Sequence, residues 1–166
     1  MKAIKKYFMR QRILETQKPS LLRSYPKSYQ SIGIISKIGF EPDTNFITKL
    51  KFGFGNDLQI FIFVLEGHAQ GRKDYFNLNI SDVSLLGHFK KIEVLELLKN
   101  LDLVIDMTQT KSILKTYALN FAKKAYKITL GKDFYNNCNL AINIKQTDQE
   151  LFADEIIKYH NILGNG

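Results

Sequence analysis

Cysteine is nearly missing from this chain, with Cys138 alone among 166 residues. An internal disulfide is therefore excluded, which suits a reducing compartment. A lone cysteine acts as a nucleophile only beside a base; the flanking NNCNLA supplies none, so Cys138 reads as a small, half-buried residue. Long apolar runs are missing too, and no stretch approaches the roughly 18 apolar residues of a membrane-spanning helix. The cationic start is one that secretory signals share. Only Tyr7, Phe8 and Met9 follow, however, before Arg10 and Arg12 interrupt, and no small-residue cleavage site comes after. A cytoplasmic protein is expected.

Acidic residues are what the first 30 positions lack. They hold Lys2, Lys5, Lys6, Arg10, Arg12, Lys18, Arg23 and Lys27 against Glu15 alone, a net +7 of the chain's +8. The remaining 136 residues carry sixteen basic and fifteen acidic side chains. Charge segregated in this way points to an anionic partner rather than to general solubility. Tyr7, Phe8, Tyr25 and Tyr29 are interleaved with the cations.

At 100° per residue, Ala3, Ile4, Tyr7, Phe8 and Leu14 fall on one side of a helix and most of the cations on the other, which predicts a basic amphipathic helix over 2 to about 17. Pro19 and Pro26 stop it and bias the residues before them to extended forms, so 18–30 is expected to be an extended connector. The chain is thus divided into a basic arm, 1–30, and a domain, 31–166. With 45% hydrophobic residues and twelve Phe, the material for a core is present.

From Ser31 onward, short apolar runs alternate with helical patterns. SIGIIS predicts a strand at 31–36, PDTNFITKLKF a helix with Pro42 near its start, and LQIFIFVLE at 58–66 the strongest strand, apolar on both faces as an interior parallel strand must be. A weakly patterned stretch follows, with a short edge strand near 76–80. Then come a helix at 91–100, a strand at 101–107, a helix at about 110–124, strands at 125–130 and 139–144, and a closing helix at about 148–163. The expected fold class is α/β: a Rossmann-like, three-layer domain with a mostly parallel sheet, preceded by the basic helix and its connector.

Catalytic equipment is hard to find. No G-x-G-x-x-G follows the first strand, no P-loop ending is present, and FGFGN at 52–56 precedes a strand, so it is read as a helix C-cap and turn. Asp106, at the end of LDLVIDM, is read as capping the next helix with Thr108 and Thr110. His68 and His88 each follow a glycine in the irregular stretch without a third ligand at metal spacing, and His160 reads as a surface or packing residue. Glu66, Asp74 and Asp82 match no catalytic carboxylate pair. No enzyme activity, cofactor or metal is expected. Arg72 and Lys73, beside Tyr75 and Phe76, extend the candidate basic surface.

The assembled pattern resembles an uncharacterised bacterial family, common in the Bacteroidetes, of short α/β proteins with a basic N-terminal helix. The resemblance runs from about residue 2 to 163 and rests on SIGIIS, LDLVIDM, ALNFAKKAYKITLG and YHNIL. It departs at LLGHFKK, where the family shows an FGKP-like turn, leaving only Gly87 and Lys90 or Lys91 to match. The resemblance implies no activity and no site residues; it implies association with the large ribosomal subunit.

Taken together, the expected function is that of a ribosomal or ribosome-associated protein binding structured rRNA, with neighbouring ribosomal proteins as further partners. The arm's cations and Tyr7, Phe8, Tyr25 and Tyr29 would supply phosphate contacts and stacking groups. Two alternatives remain open: an anionic membrane surface holding the amphipathic helix, and an enzyme on a nucleotide or sugar-nucleotide fold.

Overall fold

The structure, a computed structural model, describes residues 1–16, 28–67, 73–132, 137–145 and 148–164. Each segment read from apolar patterning is found as an element of the expected type. In chain order these are α1 (Lys2–Thr16), β1 (Ser31–Lys37), α2 (Thr44–Phe54), β2 (Gln59–Leu65), β3 (Tyr75–Leu78), a 3-10 turn (Ile80–Asp82), α3 (Ile92–Lys99), β4 (Leu103–Asp106), α4 (Ile113–Phe121), β5 (Tyr126–Leu130), β6 (Leu140–Ile142) and α5 (Gln149–Gly164). Most of the expected connector falls outside the described residues, as do Lys18, Arg23, Tyr25, Lys27, His68 and Arg72.

The six strands form one sheet in the order β3-β2-β1-β4-β5-β6, and every neighbouring pair is parallel. Chain direction across the sheet reverses after β3, so β1 and β4 are neighbours in the middle and their carboxyl ends mark the switch point of a doubly wound sheet. Parallel strands need crossovers, and crossovers of one hand running in opposite directions lie on opposite faces. Accordingly α2, between β1 and β2, packs with α5 under one face, where Phe46, Leu50, Phe152 and Ile156 are buried. Helices α3 and α4 lie on the other, with Val94, Leu98, Leu114 and Tyr117 in the core.

Local chemistry sets the helix ends. Asp43, just after Pro42, accepts a bond from the Phe46 N–H at 2.7 Å and caps α2, and Gly55 closes the helix with its N–H on Lys51 O, as FGFGN suggested. Within α2, Gly53 faces Ile157 of α5; a Cβ there would sit 2.6 Å from that side chain, so a small residue is needed for the two helices to meet.

Helix α1 is not a free arm. Met9 is fully buried and Ile13 is 7% exposed, both within the core formed by α3, α4 and the sheet. The face expected to seek cover is the one left in water: Ile4, Tyr7 and Leu14 are 52, 57 and 64% exposed. The helix carries two apolar stripes on nearly opposite sides, and the body takes the one made by Met9 and Ile13. Phe8 is half-buried between them.

Met9→Ala is expected to lower unfolding free energy by about 2–5 kcal/mol, the usual range for emptying such a site. Leu14→Ala should change it by no more than about 0.5 kcal/mol. Urea denaturation of the two variants checks the assignment; equal small effects would mean that α1 does not contribute to the core.

Candidate nucleic-acid interface

On α1, the exposed cations Lys2, Lys6 and Arg10 recur every fourth residue, which makes a row with about 6 Å between steps along the axis. Beside this row a groove of about 460 Å³ runs between α1 and α4, lined by Lys6, Arg10, Ile13 and Leu14 on one side and by Lys111, Ile113 and Thr116 on the other. Lys111 thus joins the row from a position about a hundred residues away in sequence. Tyr7 stands exposed on the adjacent ridge.

The other two cations of the helix face the body. Lys5 donates from Nζ to the Ile80 carbonyl at 3.3 Å. Arg12 donates through Nε to the Leu86 carbonyl at 3.1 Å and lies 2.6 Å from His88 Nε2 through Nη2, a contact in which the imidazole nitrogen accepts. Next to them Gly87 adopts φ +77°, and a Cβ there would meet the backbone of Phe8 at 3.0 Å. Tyr117 of α4 donates its hydroxyl to the Gly87 carbonyl. Burial pushes the Tyr117 hydroxyl's pKa up, against an opposing pull from Arg12, so it remains a donor. Loop 84–89, α4 and α1 are therefore fastened together at one point.

The expected set of contacting residues divides accordingly. Lys2, Lys6, Tyr7 and Arg10 are exposed together, Phe8 is half-buried, and Lys5 and Arg12 are held by the body. Tyr29 must be corrected. It is buried at 6% exposure among Phe54 and His160, with ring centroids 5.3 and 5.4 Å away, and cannot stack on a base. Burial likewise lowers the His160 pKa and gives that residue a packing role. Lys73 is exposed before the amino end of β3, whereas Lys5 is tied beyond its carboxyl end, so the two belong to different regions. Sequence reading missed Lys111, Lys123 and Lys124; AKK within ALNFAKKAYKITLG was the available signal for the last two.

At the switch point itself, Asp106 accepts from Lys115 Nζ at 2.8 Å, Thr129 Oγ1 at 3.0 Å, and both the N–H and Oγ1 of Thr108 at 2.9 and 2.7 Å. All four residues are buried, Asp106 at 1% exposure and Lys115 at 3%. The expected capping role is corrected here: Asp106 forms a turn with Thr108, but Ser112 caps α4, accepting from the Lys115 N–H at 3.4 Å. The spot where doubly wound sheets hold ligands is filled by an internal ion pair.

Sheet order, layering and this cationic surface define a doubly wound α/β protein with a basic helix built into one outer layer. The chain belongs to a family of unknown function (DUF6913), whose model matches residues 2–163. No curated protein and no solved structure matches it.

Asp106→Ala would leave the Lys115 ammonium buried without its carboxylate. An expected loss of about 3–5 kcal/mol follows. Thr129→Val, which removes one donor to the same carboxylate, should cost about 1–3 kcal/mol. Thermal and urea unfolding measure both, and an Asp106→Ala protein of unchanged stability would contradict the buried pair.

Proposed function

We propose that the protein binds structured RNA through the exposed side of α1, as a non-enzymatic component of the cytoplasmic translation machinery. On this reading the site of action is the large ribosomal subunit, beside other ribosomal proteins. The observation that carries the reading is the row of Lys2, Lys6 and Arg10 with Lys111 across the groove. Lys2, Lys6 and Arg10 stand on a helix anchored by Met9 and Ile13, so their backbone positions are fixed before any phosphate arrives. Preorganised cations lose less freedom on binding, and exposed Tyr7 offers an aromatic face to an unpaired base.

A membrane reading has one observation in its favour, the exposed Ile4, Tyr7 and Leu14 stripe next to the same cations. That stripe is interrupted by Gln11 and holds three large apolar side chains, a short anchor for insertion. Among the described residues no helix is long and apolar enough to cross a membrane.

Replacing Lys2, Lys6 and Arg10 by Gln should reduce the steepness of log K against log[salt] for ribosomal RNA by about one unit per lost contact, about three in all. Tyr7→Ala should weaken binding without altering that slope, because stacking releases no counterions. Filter binding at 50 to 200 mM salt gives the slopes. Vesicles of anionic lipid provide the contrast: if the wild-type chain binds them, Ile4→Ala releases it, and no RNA binding is detected, the RNA reading is wrong.

A further inference from the structure

Where the last turn of α1 meets α3 and the end of α4, the surface opens into a cleft of about 670 Å³, within the range of pockets that hold small ligands. Its inner wall is aromatic. Phe89 and Tyr117 are buried there, Phe121 is half-buried, and the Tyr117 and Phe121 rings meet edge to face with centroids 4.9 Å apart. Its rim is cationic: Arg12, Lys123 and Lys124 stand there, while Lys99 is paired with Glu96 at 2.6 Å and Glu15 is the other acid. The bonds from Arg12 to Leu86 and His88 fix the guanidinium at the mouth.

An uncharged apolar ligand would leave this rim unmatched, and a bare phosphate would leave the aromatic wall in contact with water. A nucleotide joins a planar ring to a phosphate and satisfies both. We propose that the cleft takes one unpaired nucleotide of the bound RNA, with the base against Phe121 and the phosphate between Arg12 and the Lys123–Lys124 pair. The proposal rests on the RNA reading above and deepens it. Paired bases of an RNA helix are stacked and cannot enter, whereas a bulged or looped one can. Arg12 lies two residues beyond Arg10 and about 160° away around the helix, so the cleft opens on the other flank of α1 from the cationic row and gives the RNA a second point of contact.

The test compares two hairpin RNAs of identical stem, one carrying a single bulged adenosine, binding to the full chain at equal salt. Fluorescence anisotropy should show the bulged hairpin bound about tenfold more tightly, the effect of one stacked base. Phe121→Leu should abolish that difference, and so should Lys123→Gln with Lys124→Gln, a pair of exposed positions that leaves the core untouched. If both hairpins bind the wild-type chain equally, the cleft proposal is overturned and the RNA reading stands. If neither binds, the RNA reading fails and AMP decides the cleft. AMP-induced NMR shifts of Phe121 and Tyr117, lost in the Lys123/Lys124 variant, would retain it as a nucleotide pocket; no shifts would overturn it.

Discussion

A sheet of six parallel strands has to be covered on both faces, since its strands are apolar on each side. Helices α2 and α5, of eleven and sixteen residues, roof one face. The other has α3 and α4, of only eight and nine. Neither the β2–β3 nor the β5–β6 connection contributes a helix among the described residues. The deficit is met by α1, whose Met9 and Ile13 lie over α4 and the sheet. The most basic segment of the chain is thus also a structural layer, and the charge it brings is fixed in place by the requirement for cover.

That double duty separates the residues of α1 by role. Met9 and Ile13 hold the helix down, Lys5 and Arg12 tie its flank to the 80–88 segment, and Lys2, Lys6 and Arg10 remain exposed. A similar division is visible at the sheet's carboxyl edge. There Asp106 and Lys115 satisfy each other inside the core, with Thr108 and Thr129 filling the remaining acceptor positions. Charge serves cohesion in the interior, and on the outer face of α1 it stays exposed to solvent.

Much of the fold could be read in advance because its signals are local. Runs such as IFIFV and LVID admit a buried strand and little else, and the Asp43 cap and the Gly55 stop are encoded within a few residues of the helix they bound. The orientation of α1 could not be read in this way. Ile4, Tyr7 and Leu14 form as apolar a stripe as Met9 and Ile13, and periodicity records a stripe without recording which one finds a partner. Tyr29 looked like part of a basic aromatic tract, but the cavity beside Phe54 and His160 is assembled from residues far along the chain. The same holds for Lys111 opposite Lys6 and Arg10, and for the Asp106–Lys115 pair: each depends on the route of the backbone between two distant points.

The docking of α1 also sets an order of events during synthesis. Ile13 leaves the ribosome about a hundred residues ahead of Thr116 and Tyr117, the part of α4 and its surroundings that will receive it. At roughly 5–20 residues per second the interval is on the order of 5–20 seconds. Throughout it, a cationic helix with both apolar stripes uncovered waits for its seat, and closing the chain over so long a separation makes it a late contact. Helix α1, made before the helices it packs on, is therefore a late one to be placed, and a nascent chain offers all of the α1 cations to nearby polyanions before the finished protein turns Lys5 and Arg12 inward.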